Sequence, residues 1–167
     1  MKRKVKLYLI LFLVMTFCAC GQKNSSQEYA PDFTLPDLNG HKISLSDFRG
    51  KVVVLDFFTT WCEGCRMLAP QLNRLYQKYK KSDVLILGIS LDGFSTSKPL
   101  YKFQQKEKIS YPLLIGNEEV VRKYGDISII PYVVIIDTQG KIYKILQGHI
   151  EEEKLEKYIK TLLSKRG

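Results

Sequence analysis

Histidine is scarce in this chain, with only His41 and His149 in 167 residues. Cysteine occurs four times, and two of the four, Cys18 and Cys20, fall within the first twenty residues. Cys62 and Cys65 are therefore the only thiols in the body of the chain. With two isolated histidines they fall short of a structural zinc site, which takes about four ligands. A copper(I) carrier needs only two thiolates, but nothing else in the sequence selects a soft metal. No unbroken apolar run reaches the roughly 20 residues that a bilayer-crossing helix requires. Internal repeats and low-complexity tracts are missing, and 45% hydrophobic with 26% charged residues excludes a disordered or collagen-like chain. Acidic residues are absent before Glu28, while Lys2, Arg3, Lys4 and Lys6 crowd the start; without those four the net charge drops from +9 to +5. The remainder is spread without a basic block, so no nucleic-acid partner is expected.

What is present begins with an address. A basic start, an apolar run from Leu7 to Phe17 and then Cys18-Ala19-Cys20-Gly21 fit a secretory signal peptide over residues 1–19. The ending resembles a bacterial lipoprotein box, with Phe17 where Leu is usual. That resemblance implies acylation of Cys20 and a membrane anchor. Residues 20–30 then form a polar tether with too little apolar surface to fold. A single domain is expected over residues 31–167.

Inside that domain, Asp37-Leu38-Asn39-Gly40 joins two short extended pieces into a hairpin. Lys51–Thr59, Val84–Leu91 and Val133–Ile136 are apolar at consecutive positions, as strands covered on both faces are. Thr138-Gln139-Gly140 turns the third into a fourth, Lys141–Leu146. Helical spacing of Leu68, Leu72, Leu75 and Tyr79 marks a helix over Cys62 to about Lys80, and Leu155, Ile159 and Leu162 mark the last one. Ser97–Lys108 and Glu118–Tyr124 read as shorter helices. Strands alternating with helices, and a final hairpin, give an α/β/α sandwich with a mixed central sheet and an N-terminal hairpin extension.

Between the first buried strand and its helix lies Trp61-Cys62-Glu63-Gly64-Cys65. The first sulfur at a helix N-terminus is stabilised as a thiolate by unpaired N–H groups and the helix dipole. The second lies one turn on, where it can attack a mixed disulfide. A purely structural disulfide closes a loop too small to stabilise much, and a core of this size needs no staple. Redox chemistry is the reading favoured, with the cysteine pair itself as the only redox group and no added cofactor or metal. Asp56, six residues before Cys62 in an apolar strand, is costly to bury charged, so its pKa should be raised.

These residues, with Ile130-Pro131 ahead of a buried strand, resemble the thioredoxin superfamily. Ala30-Pro31-Asp32-Phe33-Thr34-Leu35, Leu45-Ser46-Asp47-Phe48-Arg49-Gly50-Lys51 and the extra strand–helix segment from Leu85 to about Leu114 resemble its TlpA-like extracytoplasmic thiol-disulfide reductases. The likeness runs from Pro31 to Leu163. It implies that Cys62 attacks, Cys65 resolves, and Asp56 takes the proton of the resolving thiol. It also implies a cis-Pro131 facing the disulfide, with the Ile130 backbone and Trp61 meeting an extended client. Glu63 either modulates the thiols or is a solvated helix-start acid. Gly64 stands where that branch usually has Pro, which leaves the redox direction open. The activity implied is reduction of disulfides in partner proteins outside the cytoplasm by a monomer, recharged by a membrane dithiol donor; apocytochrome c is one client class. Two alternatives use the same residues. Thr59-x-x-Cys62 is the tail of a peroxiredoxin motif, and a disulfide-forming oxidase runs the cycle backwards.

Overall fold

In the computed structural model, which describes residues 28–93 and 97–165, the first elements are the short strands Thr34–Pro36 (β1) and Lys42–Ser44 (β2). They pair antiparallel in register Leu35 to Ile43. Asp37 sets the turn between them, since its carboxylate accepts the backbone N–H groups of Asn39 and His41, both at 2.8 Å. Gly40 supplies the positive φ of 86° that closes it. A single 3-10 turn, Leu45–Phe48, leads to Val52–Phe58 (β3), whose seven residues are all buried.

The chain continues through Glu63–Tyr79 (α1), Val84–Ser90 (β4), Lys98–Lys106 (α2), Leu113–Ile115 (β5), Glu118–Lys123 (α3), Tyr132–Ile136 (β6), Ile142–Gln147 (β7) and Glu152–Ser164 (α4). The main sheet has the order β5-β4-β3-β6-β7. Its first three strands are parallel and β6 and β7 run against them. Alternate side chains of β3 feed two cores, as strand geometry requires. Val52, Val54 and Phe58 pack with Leu68 and Leu72 of α1, Phe103 of α2 and Leu155 and Ile159 of α4. Val53, Leu55 and Phe57 pack with Phe33, Leu35 and Leu45 of the N-terminal segment and Val120 and Tyr124 by α3. The expected thioredoxin-like sandwich is present, with one outer layer made of three helices and the other shared between hairpin and α3.

Two details differ from the sequence reading. The sheet has five strands, not four, because Leu113–Ile115 is too short for its periodicity to stand out. The packed unit also reaches back before Pro31: Ile142 N–H donates to the Glu28 carbonyl at 2.8 Å, and Ala30 N–H donates to Gly140 at 2.9 Å.

Gly88 of β4 lies opposite Asp56 and Leu113. A Cβ there would sit 2.5 Å from Leu113 Cδ2 and 3.1 Å from both the Phe58 and Tyr111 rings. Gly88→Ala is therefore expected to destabilise the fold by about 1–3 kcal/mol through overpacking. Urea unfolding measures it, and an unchanged midpoint contradicts the packing described.

Candidate active site

β3 ends at Phe58 and α1 begins at Glu63, so the intervening turn carries the cysteines to the edge of the sheet. Cys62 is the N-cap of α1, and its Sγ accepts the Cys65 N–H at 3.1 Å. The turn is held from both sides: Cys62 N–H donates to the Thr59 carbonyl, and Arg66 N–H donates to the Cys62 carbonyl. Cys62 and Cys65 are joined as a disulfide, with Cα atoms 5.3 Å apart. Their surroundings differ. Cys62 is half-buried, whereas Cys65 is 1% exposed and belongs to the core under α1.

The Ile130–Pro131 bond is cis, and Pro131 lies beside Gly64 in the first turn of α1. A Cβ on Gly64 would lie 3.3 Å from Pro131 Cδ, so the glycine lets the two loops meet. Among the described residues no hydrogen bond engages the Ile130 backbone. Beside it runs a cavity of about 270 Å³, lined by Gly64, Met67, Gln71, Ile130, Pro131 and His149, among others. Trp61, Met67 and Ile129 are each more than half exposed around this end of the molecule. Of these, Met67 lines the groove itself, Ile129 precedes Ile130 of its lining, and Trp61 precedes Cys62. Sequence reasoning placed Trp61, Ile130 and Pro131 here but not Met67, whose exposure only the fold reveals.

Asp56 is on the α1-facing side of β3, on the same face as Val54 and Phe58, and is 2% exposed. Its Oδ1 has no hydrogen-bond partner among the described residues. Burial alone pushes its pKa from 3.8 up to about 7. The Tyr111 phenol shares this interior; burial first, and the Asp56 carboxyl second, hold it well above the usual range. The carboxyl is thus neutral in mild acid and ionised in mild base, in the interior that also holds Cys65. Glu63 lies exposed in the first turn of α1, where the helix dipole favours a carboxylate.

A second carboxylate was not anticipated. Asp92, just beyond β4, accepts the Thr60 N–H at 2.9 and 2.8 Å and the Thr60 hydroxyl at 3.0 Å. The Ser90 hydroxyl donates to it at 2.8 Å. Asp92 thereby ties the segment leading into Cys62 to the end of the neighbouring strand. Its position offered one signal: in parallel sheets, working residues gather just beyond the carboxyl ends of strands. His149 lines the groove and is exposed, while His41 is a hairpin residue bonded to Asp37. Cys20 lies outside the described residues. Among the described residues no helix is long and apolar enough to cross a membrane, and no cluster of three or more His, Cys, Asp or Glu is placed to hold a metal ion.

The AhpC/TSA family pattern matches residues 27–145. The thiol-disulfide oxidoreductase ResA of Bacillus thuringiensis subsp. konkukian is 33% identical, covering 97% of this chain and 99% of its own. ResA of Geobacillus kaustophilus is 35% identical over 80% of this chain and 75% of its own. Among solved structures, the thioredoxin domain of a thiol-disulfide oxidoreductase from Bacteroides vulgatus superposes with a TM-score of 0.70. It is 29% identical and covers 80% of this chain and 96% of that one.

Two outcomes follow from the carboxylates. Because folding raises the Asp56 pKa, the folded state holds a proton that the unfolded chain releases between about pH 4 and 7. Stability contributed by the neutral form is complete below pH 4 and falls as pH climbs through 7. Asp56→Asn should leave stability nearly unchanged at pH 4 and raise it by roughly 4 kcal/mol at pH 8, about three pKa units at 1.36 kcal/mol each. Urea unfolding of the oxidised protein at both pH values tests this, and no gain at pH 8 removes the burial penalty. Asp92→Ala orphans the Thr60 N–H and should cost about 1–3 kcal/mol in the same assay.

Proposed function

The chain belongs to the AhpC/TSA family and is a thiol-disulfide oxidoreductase of thioredoxin fold, and on that premise we propose that it acts as a reductase of disulfides in partner proteins, tethered outside the cytoplasmic membrane. The observation that carries this reading is the buried Asp56 carboxyl, with its pKa raised to about 7, in the interior shared with Cys65. A base poised near neutral pH serves a thiol that has to lose its proton before it can attack.

The cycle starts from the dithiol. The Cys62 thiolate, favoured by the N-terminus of α1, attacks one sulfur of a client disulfide. A Cys62–client disulfide forms and the client's other sulfur leaves as thiolate, taking a proton from water. Cys65 then gives its proton to Asp56 and attacks Cys62 Sγ. The second client sulfur departs as thiolate and is protonated, leaving Cys62–Cys65 oxidised. Two electrons have passed from the cysteine pair to the client. Trp61 and the groove beside Pro131 receive the client, and the Ile130 backbone pairs with its extended chain. Glu63, beside the attacking sulfur, tunes it through its charge.

The rest of the reading concerns place. Residues 1–19 direct export, Cys20 carries the lipid anchor, and the domain works as a monomer on the outer side of the membrane in the bacterial envelope. A membrane dithiol donor recharges it. Its clients include proteins whose thiols must stay reduced for later use, as apocytochrome c does in cytochrome c maturation. No cofactor beyond the cysteine pair takes part.

The reduction potential of Cys62–Cys65, measured by equilibration with a dithiol buffer, tests the direction. A value near −270 mV, as in thioredoxin, is expected. A value near −120 mV makes the protein a disulfide-forming oxidase with the same residues. Turnover of hydroperoxide by Cys62 in place of client disulfides transfers the assignment to a thiol peroxidase, for which Thr59 supplies the motif.

A further inference from the structure

Helix α2 carries charge of one sign only. Lys98–Lys106 includes the lysines 98, 102 and 106 and no acidic residue. Spaced four apart, the three share one face, where like charges repel. Lys98 also sits in the first turn, the end at which the helix dipole disfavours a cation. Cations on the other helices are matched by acids. Glu118 and Glu119 of α3 face Arg122 and Lys123 at 3.8 and 2.7 Å, and Glu156 of α4 faces Lys160 at 3.2 Å. Arg74 and Lys78 of α1 reach Glu152 and Glu156 of α4. Lys102 and Lys106 are exposed, and among the described residues neither has an acidic partner.

That face of α2 borders a cleft beside the cysteines. A cavity of about 250 Å³ is lined by Thr60, by Arg66 of α1, and by Pro99, Lys102, Phe103 and Lys106 of α2. Pro99 and Phe103 give it apolar surface, and the other three α1 and α2 residues give it cations. The acids nearby are Glu63, Asp92 and Glu107. Asp92 is engaged by Thr60 and Ser90, and Glu107 by Arg66 at 4.0 Å, while Glu63 is exposed in the first turn of α1. Lys102 and Lys106 are thus the charges left for a partner. The cleft adjoins the reactive turn, since Thr60 stands two residues ahead of Cys62 and Arg66 N–H donates to the Cys62 carbonyl at 3.1 Å. The groove beside Pro131 lies on the other side of that turn. It takes Gly64, Met67 and Gln71 from α1, whereas the cleft takes Arg66, about 200° round the helix from Gly64.

From this placement we propose that the Arg66–Lys102–Lys106 cleft seats acidic side chains of the client beside its reactive cysteine, so that clients are selected by negative charge on one flank. This rests on the reductase reading above. A client disulfide over Cys62, with one flank in the Pro131 groove, carries its other flank across Thr60 to Lys102 and Lys106. Carboxylates placed there form charge-assisted contacts and relieve the repulsion between the lysines. The same charges steer the encounter, so their effect falls as salt rises.

The test uses the full chain as isolated, reduced to the dithiol at neutral pH. Its substrates are peptides whose single cysteine is disulfide-bonded to mercaptoethanol, with a pair of Glu, Gln or Lys residues before or after the cysteine. Uncharged hydroxyethyl disulfide sets the reference rate of each protein, which absorbs any effect of a substitution on the Cys62 thiolate. Comparing proteins on one peptide cancels that peptide's own reactivity. At low salt the Glu-to-Gln rate ratio should be about fivefold higher in the native protein than in Lys102→Gln/Lys106→Gln. Lys102→Glu/Lys106→Glu should favour the Lys peptides instead, and molar salt, with a Debye length of about 3 Å, should bring all ratios together. Should the reversal unfold, the Gln variant decides. Equal ratios in the native and substituted proteins overturn the proposal, as does a ratio that molar salt leaves unchanged. Loss of the ratio on adding phosphatidylglycerol vesicles, but not phosphatidylcholine ones, overturns it in favour of a lipid surface. If the dithiol leaves hydroxyethyl disulfide and every peptide intact, the reductase reading fails. The same ratios are then read with the peptide thiols attacking Cys62 Sγ of the disulfide form, and equality there overturns the cleft as well.

Discussion

A strand buried along both faces leaves its occupants no route to water, and β3 imposes that condition on everything around it. Seven consecutive buried residues require a layer on each side, which the three helices and the hairpin with α3 provide. The condition also traps Asp56. A carboxyl on a one-sided sheet could turn outward; here it can only stay neutral or keep its charge at a cost, which is why its pKa moves so far. The strand then ends where the cysteines begin, so the element that builds the core also delivers the reactive sulfurs to its rim.

The two sulfurs experience opposite environments across one helical turn. Cys62 meets the open N-terminus of α1 and partial solvent, both favouring a thiolate. Cys65 lies in apolar surroundings that favour its neutral thiol. Asp56 occupies the same interior, with its pKa raised by burial. Asp92 has a different part: it touches neither sulfur, but it fastens Thr60, two residues ahead of Cys62, to the end of β4. The approach to Cys62 is held by this carboxylate and by the close meeting of Gly64 and Pro131.

Much of this was legible from residue order. Consecutive apolar residues marked the long strands, helical spacing marked α1 and α4, and the cysteine pair at a strand–helix junction marked the chemistry. The unfavourable placement of Asp56 was readable because a charge in an apolar run has few explanations. Other features were hidden for physical reasons. β5 is three residues long, too short to show a period. Asp92 works through hydrogen bonds to a residue 32 positions away, which no local pattern encodes. The groove beside Pro131 is assembled from α1 and from the loops before β6 and after β7, and Tyr111 meets Asp56 only once β4 and β5 lie side by side. The cis bond at Pro131 was expected from resemblance alone, and the structure has it.

The burial of Cys65 has a kinetic consequence. With one sulfur facing outward and its partner sealed beneath the helix, the site is a turnstile that admits one visitor at a time. On the proposed cycle, whatever gives electrons and whatever receives them bonds to the same atom and occupies the same groove. No ternary complex of donor, protein and acceptor can form, and steady-state kinetics become ping-pong, with each partner inhibiting the other at high concentration. Throughput then depends on how quickly each visitor leaves, so a modest affinity for both serves the protein better than a tight grip on either.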